Sequence, residues 1–334
     1  MNTPTINQLD IINYPKSLTV LAKPGSGKTF TIAEKIKKIL KNTLDFRGVI
    51  AISYTNKASK ELKDRVVKGG IDSKQSFFGT ISSFYLNEVI YKFAYYLFDK
   101  PNKEVLVYSS SDNIEEVLAM DIAYEDSGNT LLSDSLIPLV KDNFQKGIIS
   151  LSLVDAIAIY VFDSCKECQN YIKSRYTHIF IDEYQDCGFL QDMFFQKMMG
   201  IGLVGVAVGD KDQAIYQFAG KDSKYLLDLP TKHGIKTFLL DKNFRCHDHI
   251  KNYALRLLDG VTVPGKNDER IIRMLCKGNE IKIANAIDLF IPLLKEKGII
   301  ETNSQIAILT RNERTGDIVS SNLVTKNIFF KRTP

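Results

Sequence analysis

Leu18-Thr19-Val20-Leu21-Ala22-Lys23-Pro24-Gly25-Ser26-Gly27-Lys28-Thr29 is the stretch on which the fold turns. Leu18–Ala22 is continuously apolar in character, as expected of a short strand buried on both faces. Phe30–Leu40 then repeats apolar residues at helical spacing, with Ile32, Ile36 and Ile39 or Leu40 on one face. Between strand and helix lies a glycine-containing turn, and that context makes the run a phosphate site. Gly25 and Gly27 let the backbone wrap close to phosphates, so that successive N–H groups and the helix N-terminus point at negative charge. Lys28 is placed to reach the β- and γ-phosphates, and Thr29 to set its hydroxyl on Mg²⁺. The run opens with Ala22 where the strict pattern has glycine, which leaves the phosphate-facing half intact. The competing reading is a plain glycine turn before a helix.

A second cluster supports the first. Ile179-Phe180-Ile181-Asp182-Glu183-Tyr184-Gln185-Asp186 places two acids at the end of another apolar run. Ligands in open α/β sheets sit outside the carboxyl ends of the strands. Asp182 is suited to hold Mg²⁺ through water, and Glu183 to orient and deprotonate an attacking water. Alone, the pair also reads as a solvated strand end.

Further apolar runs at Val49–Tyr54, Leu203–Val208, Thr237–Leu240 and Ile306–Leu309 are separated by helical patterns. Together they predict an α/β fold, a doubly wound parallel sheet with helices on its faces. From about Tyr85 to Ser150 the pattern is helical and polar. The expected organisation is a first α/β domain from residues 1–84 and 151–228, a helical insertion at 85–150, and a partial second α/β domain at 229–334, both α/β domains being RecA-like by the family resemblance set out below.

Composition bounds the alternatives. The 334 residues are 44% hydrophobic, enough for two domains with proper cores, and contain no Trp. Apolar stretches such as Leu203–Val208 are far too short to span a bilayer. The start, Met-Asn-Thr-Pro-Thr-Ile-Asn-Gln, lacks a signal-peptide pattern, so a cytosolic protein with no membrane partner is expected. Five cysteines without a disulfide framework fit reduced thiols. Forty-four Lys and Arg against 39 Asp and Glu give a net charge of +5, too mild to identify a nucleic-acid partner. Between Lys28 and Lys68, however, basic residues outnumber acidic ones, which fits contact with a phosphate backbone or simply a solvated face. Cys165-Lys166-Glu167-Cys168 lacks a second pair, and His247 and His249 beside Cys246 fit a helix start better than a zinc site.

With these runs in hand, the chain resembles UvrD/Rep-like superfamily 1 DNA helicases. Ala22–Thr29, Asp182–Asp186, Gly209-Asp210-Lys211-Asp212-Gln213-Ala214-Ile215-Tyr216 and Asn243-Phe244-Arg245 occur in the order seen in that family. The resemblance implies ATP and Mg²⁺ as cofactors and DNA, single-stranded or partly duplex, as partner. It implies that Gln8 reads adenine, that Ala22, Lys23, Pro24, Gly25, Ser26 and Gly27 line the phosphates, and that Gln213 senses the γ-phosphate. Phe244 would stack on adenine, and Arg245 would approach the γ-phosphate across a domain cleft. Gln185 would couple nucleotide to DNA. Tyr54-Thr55-Asn56-Lys57-Ala58 resembles motif Ia and Phe78-Gly79-Thr80-Ile81-Ser82-Ser83-Phe84 motif Ib, both lining the single-strand track in relatives. From these, Thr55, Asn56, Lys57, Thr80 and Phe84 would meet DNA, and Tyr216 and Phe218 would stack bases.

Three departures stand out. Ser82 occupies a position where relatives carry His, and Ala219 precedes Gly220 where relatives have Arg. After Ile306-Ala307-Ile308-Leu309-Thr310-Arg311 no motif V or VI follows. The expectation is that these 334 residues bind ATP, hydrolyse it slowly and do not unwind duplex alone. The short insertion, Ile179–Cys187 and Asn243-Phe244-Arg245-Cys246 are also similar to the helicase-like B subunits of Gabija antiphage systems. That similarity implies a partner, an OLD-family ATPase–nuclease, and a role in phage defence. The expected function is a DNA-dependent ATPase. The alternative is a subunit that senses nucleotide and DNA for a nuclease without unwinding.

Overall fold

Six parallel strands carry the architecture of the computed structural model, which describes residues 3–214, 222–259, 271 and 275–329. They are β1 (Leu18–Ala22), β2 (Gly48–Ile52), β3 (Phe77–Gly79), β6 (Tyr176–Ile181), β7 (Val204–Gly209) and β8 (Lys236–Leu240). Their order across the sheet is β3-β2-β6-β7-β1-β8, and every pairing is parallel. The α/β class with a parallel sheet is therefore as expected.

Successive residues of a strand face opposite sides, and the core divides accordingly. Val49, Ala51, Phe180, Val206 and Val208 join one apolar cluster with Ile32, Ile36 and Leu40 of α2 (Lys28–Lys41) and Leu62 and Val66 of α3 (Asn56–Val67). Ile50, Ile52, Ile179, Ile181 and Ala207 face the other cluster. That side is covered by α9 (Val154–Ser164), α11 (Phe189–Gly200) and α12 (Lys224–His233). Helix α1 (Ile6–Asn13) packs against α2 and β8.

Beyond β3 the chain runs through α4 (Ile81–Phe84), a π-helical turn at Tyr85–Ile90, α5 (Tyr91–Phe93) and α6 (Tyr95–Phe98). The 85–150 region is helical as expected, with α7 (Glu115–Asp126) and α8 (Leu136–Gln145), but it also contains two short strands. These, β4 (Leu106–Tyr108) and β5 (Ile148–Ser150), pair in parallel. At three residues each they are too short to register as a hydrophobic pattern. Asp121 of α7 fastens them, its carboxylate accepting from the hydroxyls of Ser110, Ser150 and Ser152. Helix α10 (Lys166–Arg175) leads into β6.

Contacts divide the chain into a unit of Met1–Val261 and a unit of Thr262–Pro334. The sequence-based boundary at residue 229 is thereby corrected. β8 lies beyond it yet completes the first sheet by pairing with β1 over Leu18–Ala22, and α13 (Asp248–Asp259) belongs to the same unit. In the second unit α14 (Glu280–Glu296) packs on α15 (Glu313–Asn322), and Asp288 accepts from the backbone N–H groups of Val324 and Thr325. The run Ile306–Leu309, expected as a strand, joins no ladder among the described residues, and Leu309 is 93% exposed. A strand needs a neighbour to satisfy its backbone, and sequence periodicity does not reveal whether one is present.

Candidate nucleotide-binding site

Because all six strands are parallel, their carboxyl ends share one edge of the sheet, and the loops leaving that edge carry nearly every predicted site residue. The phosphate loop leaves β1. Gly25 and Gly27 have φ of 71° and 83°, a left-handed backbone that favours glycine. Neither has room for a side chain. A Cβ on Gly25 would lie 2.8 Å from Cβ of Arg245, and one on Gly27 would lie 2.8 Å from Nε2 of Gln8. The hydroxyl of Ser26 is buried and has no hydrogen-bond partner among the described residues. Lys28 and Thr29 open α2, whose 14 residues supply a helix N-terminus with unsatisfied N–H groups. This cradle fits a polyphosphate.

The acids leave β6. Asp182 is 9% exposed and donates its N–H to the carbonyl of Ile52. Burial first, and then the charge of Glu183, pushes its carboxyl up to about 6, against the pull of Lys28. Such a carboxylate is one that a cation would stabilise. Thr29 and Asp182, the pair expected at Mg²⁺, are the neighbours in sequence of Lys28 and Glu183, which meet at 2.8 Å, and Mg²⁺ typically takes few protein ligands and keeps several waters. Glu183 itself sits at φ 57°, a left-handed conformation costly for a side-chain-bearing residue. Its Oε2 accepts from Nζ of Lys28 at 2.8 Å and from Nε2 of Gln185 at 2.8 Å.

Gln185 is 2% exposed and spans two strands. While its amide nitrogen holds Glu183, its Oε1 accepts from the backbone N–H of Asp210 at 2.9 Å, just past β7. A Cβ on Gly209 would lie 2.5 Å from that oxygen, so glycine is required for the approach. Asp210, buried in turn, accepts from Nε2 of Gln213 at 2.6 Å. Gln213, expected to face the γ-phosphate, is thus held by Asp210 in this structure.

The loop after β8 folds onto the phosphate loop. Asn243 donates Nδ2 to the carbonyl of Pro24 at 3.0 Å, and Phe244 N donates to the carbonyl of Gly25 at 2.8 Å. Lys23 N donates to the carbonyl of Leu240 at 2.8 Å. Phe244 and Arg245 therefore stand beside the phosphate loop within one unit, where Arg245 was expected to approach across a domain cleft. The ring of Phe244 is 53% exposed, leaving a face free to stack. Asn243 was not singled out from sequence as a site residue. Its Oδ1 also accepts from the N–H groups of Arg245 and Cys246, making it the hub of this loop. Its place directly before Phe244 and Arg245 was the available signal.

Gln8 lies in α1, 3% exposed. Its Nε2 donates to the carbonyl of Ser26 at 3.3 Å and its Oε1 accepts from the N–H of Thr5 at 2.9 Å. It stands at the phosphate loop, and each end of its amide has one partner, leaving a second N–H and a second lone pair for a base.

The predicted DNA residues divide. Thr55 and Thr80 leave β2 and β3, and each hydroxyl caps the helix that follows, accepting from Ala58 N at 3.1 Å and Ser83 N at 3.3 Å. Asn56 and Lys57 are exposed on the first turn of α3. Phe84 is a correction. It is fully buried, its ring edge-on to Phe77, Tyr176 and Phe194 at 5.1, 6.1 and 6.0 Å, so it belongs to the core and presents no face to a base. Tyr216 and Phe218 lie outside the described residues. Cys165 and Cys168 are buried at the α9–α10 junction, and burial raises both thiol pKa values. Among the described residues no group of His, Cys, Asp and Glu is arranged to hold a metal by itself.

A family model described as an AAA domain matches residues 8–219. The Gabija protein GajB of Bacillus cereus is 26% identical over 329 residues, covering 97% of this chain and 63% of that protein. The ATP-dependent DNA helicase UvrD1 of Mycobacterium tuberculosis is 24% identical, covering 73% of this chain and 37% of its own length. The ATP-dependent DNA helicase Rep of Buchnera aphidicola is 25% identical, with 83% and 46% covered. The crystal structure of Pif1 helicase from Candida albicans aligns over 87% of this chain and 55% of its own, at 16% identity and a TM-score of 0.38. The chain thus spans from 37% to 63% of the length of these sequence relatives. With the AAA-domain match covering more than half of its residues, the protein belongs to the AAA-domain family and is a UvrD/Rep-like, helicase-like protein with a RecA-like P-loop fold.

Proposed function

We propose that the protein binds and hydrolyses ATP and couples both to engagement of single-stranded DNA, as a UvrD-like helicase or helicase-like subunit. One observation carries the reading: an unbroken series of hydrogen bonds from Lys28 through Glu183 and Gln185 to Asp210 and Gln213. It links the phosphate loop to the loop after β7, whose continuation holds Tyr216 and Phe218. Backbone N–H groups of Gly25–Lys28 and the Lys28 ammonium hold the phosphates, while Phe244 stacks on adenine and Gln8 reads its edge. Thr29 and Asp182 would hold Mg²⁺, which when bound would neutralise phosphate charge. Glu183 leaves Lys28 to the phosphates and accepts a proton from the attacking water. Arg245 stabilises charge at the γ-phosphate. Thr55, Asn56, Lys57 and Thr80 lie along the single-strand track.

The similarity to a Gabija protein supports a Gabija-type role in antiphage defence, and we extend the proposal to an OLD-family ATPase–nuclease partner and a cytosolic place. No helix among the described residues is long and apolar enough to cross a membrane. The alternative is a subunit that senses nucleotide and DNA without unwinding, in which Gln213 would stay on Asp210 when nucleotide binds. ATP hydrolysis measured with and without single-stranded DNA, alongside strand displacement, tests both. DNA-stimulated turnover supports the motor, DNA binding without turnover supports the sensor, and absence of nucleotide and DNA binding ends both.

A further inference from the structure

We infer that Lys35 is a positioning residue for recognition of the nucleotide base: its buried ammonium fastens the end of α1 and so holds Gln8 against the phosphate loop. The inference rests on the reading above that Gln8 meets the base. Lys35 lies in α2, two turns beyond Lys28, and is 2% exposed. Among the described residues no carboxylate lies within ion-pair distance of it. Its Nζ instead donates to the carbonyls of Ile11 at 2.9 Å and Tyr14 at 2.6 Å, at the C-terminal end of α1. Those carbonyls carry the negative end of the helix dipole, which tolerates a cation.

Packing alone gives no reason for a lysine here. The small cavity beside it is mostly apolar, lined by Ile11, Ile32, Val206 and Leu240 among others, with Lys28 and Thr31 also on its wall, and burial together with Lys38 pushes its pKa down to about 8. Replacing a buried charge with an apolar side chain of similar volume is often neutral or stabilising. The charge therefore matters for where it places α1. An eight-residue helix has little stability of its own, so its fixings decide its position. At the C-terminal end these are Lys35 and Lys38, whose Nζ donates to Oδ1 of Asn13 at 2.7 Å. One turn towards the N-terminus from Ile11 is Gln8, touching Ser26 and filling the space beside Gly27. Releasing Lys35 would let Gln8 drift from the base while leaving the phosphate cradle in place.

The test measures affinity of the full chain for Mg-ATP, Mg-GTP and tripolyphosphate by calorimetry, in Lys35→Met, Lys38→Ala and Gln8→Ala. Lys35→Met and Gln8→Ala should each weaken Mg-ATP about tenfold, the loss of one well-placed hydrogen bond, and abolish the preference over Mg-GTP. Tripolyphosphate affinity should not change. Lys38→Ala, which removes an exposed contact, should reduce the preference about two- to threefold. If Gln8→Ala erases the preference and a folded Lys35→Met keeps it, the role of Lys35 is overturned and base reading by Gln8 survives. If Gln8→Ala keeps the preference, base reading falls and this inference with it. Equal loss of all three ligands in Lys35→Met would also overturn the assignment. Should Lys35→Met not fold, Lys38→Ala decides, and an unchanged preference there sinks the inference.

Discussion

The two halves of the sheet's carboxyl edge use similar side chains for different ends. At β1, β6, β7 and β8, polar side chains reach across elements: Lys28 to Glu183, Gln185 to Asp210, Asn243 to Pro24. At β2 and β3 the hydroxyls of Thr55 and Thr80 stay local and cap their own helices, while Phe84 turns into the core. A network spanning strands makes the first half a cooperative site, in which disturbing one member is felt by the rest. The second half is a row of nearly independent surface positions over a firm base. Substitutions should therefore have large, coupled effects in the first half and small, additive ones in the second.

The largest effect is expected at Glu183. Glu183→Gln keeps the shape and the hydrogen bonds but cannot take a proton, so turnover should fall about 10²–10⁴-fold with nucleotide binding retained. Parent-like hydrolysis in a steady-state assay would make the acid structural. Lys28→Ala removes both the phosphate contact and the partner of Glu183, and should lower turnover about 10²–10³-fold and weaken Mg-ATP binding as well. An unchanged binding isotherm with unchanged hydrolysis would remove the phosphate loop from the mechanism.

Phe84→Ala probes the other half through its base. Deleting a buried ring that meets three aromatic partners should cost about 3–5 kcal/mol of stability in denaturant titration. Any change in DNA affinity should then follow the folded fraction. A parent-like stability with selectively weakened DNA binding would return Phe84 to the strand track.

Gln185→Ala leaves the N–H of Asp210 buried without a partner, at about 1–3 kcal/mol. It should also separate the nucleotide and DNA responses, seen as hydrolysis no longer stimulated by single strands. Stimulation at the parent level would break the proposed link between β6 and β7. The smallest effect is expected at Lys57. Losing one phosphate contact there should reduce the slope of log affinity against log salt by roughly one and leave hydrolysis without DNA unchanged. A slope equal to the parent's would take α3 off the track.

The sequence was most legible where function and local structure share the same residues. Gly25, Gly27 and Lys28 sit in one turn between a strand and a helix, so twelve consecutive residues display the site. The same holds for Asp182 and Glu183. What remained hidden depends on partners distant in the chain. Thr237–Leu240 reads as a buried strand in any sheet, and only pairing with β1 places it in the first unit. Phe84 differs from a stacking aromatic in surroundings, not in type. Lys35 follows Ile32 on the buried face of α2, an oddity visible in the sequence, but the carbonyls it caps belong to another helix. For Gln213 and Arg245, the family resemblance implied proximity to the nucleotide site, while their actual neighbours follow from how the loops after β7 and β8 settle.

The strand order has a consequence for synthesis. β1 emerges first, yet its two neighbours are β7 and β8, which begin at Val204 and Lys236. β2, β3 and β6 can assemble among themselves while β1 waits. At about 5–20 residues per second on the ribosome, the phosphate loop exists as a sequence for roughly 10–40 s before it can exist as a site. During that interval an apolar strand and a glycine turn are exposed without partners, the condition under which chaperones act on nascent chains. The last strand to arrive, β8, also brings Asn243, Phe244 and Arg245. Closure of the sheet and completion of the nucleotide site are thus a single late event in the life of the chain.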